Sequence, residues 1–177
     1  GPSEILIVAD SANDPSWIAA DLLSQAEHDS TAQSILITDD SNFADQVFIA
    51  VDHQLGQLSR SKIAGQSWAQ NGAIIILPSL EDAPVLVDRL APEHLELAVA
   101  NPEALFDEIH HAGAVFLGRH TPEAVGDYVA GPNHVLPTAR TARFASALSV
   151  LNFMKRTSVV RCDSSSLARI GPVAATL

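Results

Sequence analysis

Three short constellations hold side chains able to ligate a metal or move a proton. In Gln25-Ala-Glu-His28 an amide and an imidazole stand three residues apart, which on a helix is one face. An amide oxygen and an imidazole nitrogen there can ligate a divalent metal together. Equally, the segment reads as a solvated last turn in which His28 complements the helix dipole. Ala91-Pro-Glu-His94 sets Glu93 beside His94, either a pair able to transfer protons near neutral pH or a surface turn opened by Pro92. Gly126-Asp-Tyr-Val-Ala-Gly-Pro-Asn-His134 carries Asp127 and His134 in a stretch rich in glycine and proline. Asp127 either caps a turn there or completes a mixed N/O site with Gln25 and His28. Such ligands suit Zn²⁺, Mn²⁺ or Co²⁺ rather than a cysteine-rich structural zinc. The remaining candidates have plainer readings: His110-His111 a helix C-terminus, His53 a solvated face, Cys162 a small strand hydrophobe, and Trp17 and Trp68 core. Neither GxGxxG nor GxxxxGK[ST] occurs in the sequence, so no standard nucleotide loop is present in it.

These groups must be positioned by the elements around them. Glu4–Ala9, Ser34–Thr38, Ala73–Leu77, His94–Val99 and Ala114–Leu117 are short runs rich in apolar residues, of strand length. Between them lie helical patterns at 15–28, 41–70 (broken around Gly56 and Gly65), 80–90 and 102–110. Pro15 sits where a first turn tolerates it, behind Asp14 as N-cap. Strands alternating with helices, and apolar on both faces, predict an α/β fold: a doubly wound, mostly parallel sheet covered by helices on both faces. In such a sheet the site is expected at the carboxyl ends of the strands. After Gly118 the order loosens. Residues 119–143 read as a long functional loop, 144–156 as a helix, 157–162 as a strand and 164–176 as a helix apart from Gly171-Pro172. The expected division is an α/β domain over 1–143, carrying the candidate metal and acid–base motifs, and a separate C-terminal segment over 144–177.

Composition narrows the class. The 177 residues carry a net charge of −11, and 47% are hydrophobic. That suits a globular chain rather than a disordered one. No Lys/Arg cluster exists to displace counterions, so nucleic acid is not an expected partner. No apolar run approaches the ~20 residues of a membrane span, and no signal peptide is visible. Cys162 is the sole cysteine, which excludes an internal disulfide framework and a multi-cysteine metal site. A cytoplasmic location is expected.

Taken together, several segments resemble one family. They are Gly1-Pro-Ser-Glu4, Asp21-Leu-Leu-Ser-Gln-Ala-Glu-His28, Leu90-Ala-Pro-Glu-His-Leu-Glu96, Thr121-Pro-Glu-Ala-Val-Gly-Asp-Tyr-Val-Ala-Gly-Pro-Asn-His-Val-Leu-Pro-Thr138 and Thr141-Ala-Arg-Phe144. Their order and spacing are those of histidinol dehydrogenase. The resemblance runs along essentially the whole chain and covers less than half of the family's usual length.

The resemblance implies a zinc-dependent, NAD-linked enzyme that oxidises histidinol through the aldehyde to histidine, the last step of histidine biosynthesis. It implies Gln25, His28 and Asp127 as zinc ligands, with a further histidine ligand beyond this segment. His94 takes the alcohol proton and Glu93 activates the water that attacks the aldehyde. Ser3, Gln25, His28, His94, Asp127 and His134 match positions at the substrate, while NAD contacts lie mostly outside the segment. It also implies a homodimer, with residues 144–177 as a C-terminal arm that makes a dimer contact. The segment alone is expected to be inactive. A dehydrogenase of another small polar alcohol, such as a sulfonated diol, would share the zinc and acid–base motifs. A non-catalytic α/β metal-binding module is a further alternative. Three positions depart from the family pattern: Arg140 where glycine is expected, Ala147 where glycine or proline is, and Asn152 where aspartate is usual. All lie outside the residues assigned to chemistry.

Overall fold

The computed structural model describes residues 2–176. Five strands, β1 (Glu4–Ala9), β2 (Gln33–Thr38), β3 (Ala73–Ile76), β4 (His94–Ala98) and β5 (Ala114–Leu117), form one sheet in the order β3-β2-β1-β4-β5. Every pairing is parallel. The chain winds outward from β1 to β3, then crosses back to lay β4 on the other side of β1. That reversal is the doubly wound topology expected above. β1 is central, and all six of its residues are buried, which is why Ile5-Leu-Ile-Val8 is apolar on both faces.

Strand alternation sorts the side chains into two cores. Ile5, Ile7 and Ala9 face α1 (Pro15–Ala26), α2 (Ser41–Leu55) and α3 (Ser61–Asn71), where Ile18, Leu22, Leu23, Phe43, Val47 and Val51 close the layer. Leu6, Val8, Leu95 and Leu97 face α4 (Ala83–Leu90) and α5 (Pro102–Phe106) through Val87, Leu86 and Leu105. The cap of α1 is the Asp14 that the sequence suggests, and α2 is capped by Asp40. Asp14 accepts the Ser16 N–H at 2.8 Å and Asp40 the Phe43 N–H at 2.9 Å, each satisfying an orphan donor of a first turn. α4 ends at Ala91 in the left-handed region (φ 48°), which swings the chain through Pro92 into β4. A short helix, α6 (Glu123–Tyr128), then packs on the α1 side.

Several expectations need correction. The break in 41–70 falls at 56–60, and α3 runs through Gly65. α5 stops at Phe106, so His110 and His111 lie in a loop rather than at a helix end; both of their N–H groups are taken by Asp88. Trp17 is 55% exposed instead of core. Residues 144–156 are not one helix. They hold only a turn of 3-10 helix at Val150–Phe153, because Ser149 and Asn152 form a capping box that starts a new turn in mid-segment. Residues 157–162 form no strand, since no neighbouring strand offers them hydrogen bonds. Cys162 is accordingly exposed. α7 (Ser164–Ala174) forms where a helix is expected, but it runs through Gly171-Pro172 instead of breaking there, with Pro172 in its last turn. From 144 to 176 no side chain is buried.

Candidate active site

Glu93 and His94 lie at the amino ends of β1 and β4, not at the carboxyl ends where the site is expected. Glu93 and His94 follow α4, and a helix in a parallel layer returns the chain to the amino end of its next strand. Residues on that return therefore sit opposite the usual crevice. At the carboxyl ends, Asp10 holds Arg119 in a salt bridge and accepts the N–H groups of Ala12 and Ala100 at 3.1 and 2.9 Å.

β1 and β4 are neighbours, so Ile5 pairs with His94 and Glu4 lies against Glu93. The two glutamates exchange bonds: the Glu4 N–H donates to Glu93 Oε2 at 3.0 Å, and the Glu93 N–H donates to Glu4 Oε2 at 3.2 Å. His94 is 3% exposed. Its Nδ1 lies 2.9 Å from the Glu4 carbonyl and 3.6 Å from Glu93 Oε2. A carbonyl only accepts, so Nδ1 carries the proton and Nε2 is left as the basic nitrogen. Nε2 is buried with no hydrogen-bond partner among the described residues, 3.4 Å from Asp127 Oδ1 and 3.9 Å from Glu123 Oε1.

Two glycines make this approach possible. A Cβ on Gly126 would stand 2.0 Å from the Phe116 ring, which itself stacks on His94 with centroids 6.0 Å apart. A Cβ on Gly113 would stand 2.5 Å from the Glu93 carbonyl oxygen. α6 and β5 can close on the site only because neither is present. Beside Asp127 a cavity of about 280 Å³ is lined by Gly113, Phe116, Gly126, Asn133 and Leu136.

Beneath the pair lies a run of buried acids. His94 and Glu96 are two apart on β4 and share its α1-facing side. Glu96 Oε2 has no partner. Burial, with Asp21 and Glu123 nearby, pushes the Glu96 carboxyl up to about 9. Burial and Glu123 together push Asp21 to about 6, against a hydrogen bond from Glu96. Glu96 is thus the protonated member, donating to Asp21. Burial also raises Glu93, opposed by the Glu4 N–H and by His94. Glu123 is raised in the same way, with His94 and the Ser24 hydroxyl opposing; that hydroxyl donates to Glu123 Oε2 at 3.1 Å.

The expected site residues are distributed unevenly. His94, Glu93 and Asp127 meet. Gln25 is buried on α1, next to the Ser24 that touches Glu123. His28 is exposed, and its carbonyl accepts from Arg60. Neither side chain hydrogen-bonds to Asp127 among the described residues. Ser3 is half-buried just before β1, its carbonyl taking the Gln33 N–H. His134 is exposed in the loop after α6. Glu4, Asp21, Glu96 and Glu123 were missing from the expected set.

His94 and the carboxylates of Glu123 and Asp127 place ligand atoms within 4.8 Å of one another, an N/O environment that a zinc-class cation fits; this group shares only Asp127 with the expected ligands Gln25, His28 and Asp127. The carboxyl-end crevice does not fit a dinucleotide pyrophosphate. Asp10 and Asp14 already take the N–H groups of Ala12, Ala100 and Ser16 that would cradle a phosphate, and both would repel it.

Fold and site together define an α/β scaffold carrying a buried cluster of titratable side chains beside a metal-compatible group. The chain belongs to the histidinol dehydrogenase family, whose model matches residues 1–177. It is 67% identical over 178 residues to histidinol dehydrogenase of Rhodospirillum rubrum, covering 100% of this chain and 41% of that protein. To the Zymomonas mobilis enzyme it is 62% identical over 177 residues, with the same coverage. The crystal structure of histidinol dehydrogenase from Elizabethkingia anophelis superposes with a TM-score of 0.89 at 43% identity, over 98% of this chain and 40% of that one. The chain thus spans about two fifths of the length of the relatives it matches.

Proposed function

We propose that this chain supplies the acid–base and metal-holding part of a zinc-dependent, NAD-linked oxidation of histidinol to histidine through the aldehyde, in a cytoplasmic homodimer. The observation that carries the reading is His94: a buried imidazole whose Nδ1 is anchored, whose Nε2 is free, and whose neighbour is Glu93. Gln25, His28 and Asp127 are the residues that would hold zinc. Zinc would supply a centre that orients the substrate, and NAD, whose contacts the resemblance puts mostly outside this segment, would supply the hydride acceptor. His94 accepts the alcohol's hydroxyl proton at Nε2. Glu93, its basicity raised by burial, takes a proton from the water that adds to the aldehyde. Ser3, Gln25, His28, His94, Asp127 and His134 border the substrate. Much of the benefit is orientation, which a half-enclosed pocket supplies by holding the reacting atoms in register.

The residues 144–176 support the dimer. Phe144, Val150, Leu151, Phe153 and Met154 are between 61% and 83% exposed, more apolar surface than a finished monomer leaves bare. The division into an α/β domain over 1–143 and an arm over 144–177 belongs to the same proposal.

Calorimetric titration of zinc into the metal-free chain, beside His28→Ala and Asp127→Ala, tests the metal assignment. One site per chain, lost in both variants, is expected. Binding unchanged in His28→Ala but lost in Asp127→Ala would move the metal away from α1.

A further inference from the structure

Apart from Glu93 and His94, the residue most engaged at the site is Glu4, which is not among the expected site residues. Its four polar groups all point into the same corner. The N–H donates to Glu93 Oε2 and the carbonyl accepts from His94 Nδ1. Oε2 accepts the Glu93 N–H, and Oε1 accepts the Ala139 N–H at 2.9 Å. These bonds close loops of 89 and 135 residues. Only a carboxylate can receive two N–H groups on separate oxygens without presenting a donor to either. A glutamine would receive one and turn its NH₂ toward the other.

The second of those N–H groups belongs to an unusual turn. Ala139 and Arg140 both lie in the left-handed region, at φ 52° and 66°, where L side chains are strained. Ala139 is exposed, and its N–H is held by the buried carboxylate of Glu4. The turn so fixed follows Pro137, which lies against Gly113 and hence the Glu93 backbone.

We propose that Glu4 is the positioning residue of this site. Its carboxylate clamps the turn at Thr138–Arg140 to the turn at Glu93. Its carbonyl fixes His94 in the Nδ1–H tautomer, which leaves Nε2 as the base facing Asp127. The catalytic meaning rests on the acid–base reading of Glu93 and His94, but the clamp exists or fails independently of any reaction.

Nitrogen-15 spectra of the imidazoles and amide hydrogen exchange on the labelled chain test it directly. In the wild type, His94 is expected in the Nδ1–H tautomer. The Ala139 amide is expected to exchange at least about tenfold more slowly than those of the exposed Asn133 and His134. In Glu4→Gln, protection at Ala139 or Glu93 is lost, while His94 keeps its Nδ1–H tautomer because the backbone carbonyl at position 4 is unchanged. A wild-type Nε2–H tautomer, or Ala139 exchanging as fast as Asn133 and His134, overturns the clamp even if Glu4→Gln fails to fold.

Kinetics separate the clamp from the reading beneath it. In a protein of the relatives' full length carrying this segment, Glu4→Gln is expected to lower kcat by about 10²-fold with KM little changed. If Glu93→Gln slows the reaction and Glu4→Gln does not, the positioning role is refuted and the acid–base reading stands. If neither variant slows it, the acid–base reading fails and takes the catalytic role of Glu4 with it.

Discussion

Replacing Glu96 by glutamine should remove most of a pH dependence that this one buried acid imposes on stability. Glu96 faces Asp21 on α1 and Glu123 on α6, with His94 two residues before it on β4. Its folded carboxyl is raised from 4.5 to about 9. Above pH 4.5 the unfolded chain releases this proton while the folded chain keeps it. The stabilising contribution is therefore complete below that pH and is lost as pH rises toward 9. The slope is about 1.4 kcal/mol per pH unit, so between pH 6 and 8 the wild type should lose on the order of 3 kcal/mol through this group. Asp21, raised to about 6, adds its own loss chiefly below that window, and the two carboxyls titrate as a pair. In Glu96→Gln the amide still donates to Asp21 but has no proton to release. Urea unfolding followed by circular dichroism at pH 6, 7 and 8 reads the difference. The variant's decline should be shallower by about 1 kcal/mol per pH unit or more. Parallel declines for the two proteins would refute the assignment of a retained proton to Glu96.

Three further outcomes follow from the same geometry. Gly126→Ala must displace the Phe116 ring from beneath its Cβ and should destabilise the chain by about 1–3 kcal/mol in urea unfolding, with weaker zinc binding as Asp127 shifts. Arg140→Gly relieves a left-handed residue at φ 66° and should stabilise by up to about 1 kcal/mol after the entropy glycine adds to the unfolded chain; a lower urea midpoint would count against strain there. In a protein of full family length, Glu93→Gln should slow the second oxidation more than the first, and equal losses in single-turnover measurements would remove Glu93 from the water-activating role.

The fold was legible because its signals are local. Five apolar strand-length runs, Asp14 ahead of Pro15, and the helical stripes each report on a few neighbouring residues. Of the expected site residues, the structure brings together Glu93, His94 and Asp127. Glu123 carried a usable clue, standing four residues before Asp127 on one helical face, and Glu96 stood two after His94 on a strand. Glu4 carried none, since only the pairing of β1 with β4 brings it to Glu93. The side of the sheet was misjudged because crevices in open α/β sheets gather at the carboxyl ends, whereas this pair rides on the return from α4. Residues 144–162 misled for a different reason. Their apolar content is genuine, but without a partner surface neither helix nor strand is fixed by it.

The anchoring of His94 at one nitrogen also imposes an order in time. A ring held at Nδ1 by a carbonyl cannot hand a proton through itself to Glu93. Whatever arrives at Nε2 must depart from Nε2 before the next can be received. A reaction that calls on this imidazole more than once has to clear that single port between turns, toward Asp127, Glu123 or the adjoining cavity. Glu93, on the far edge of the ring, is left to serve a different proton altogether.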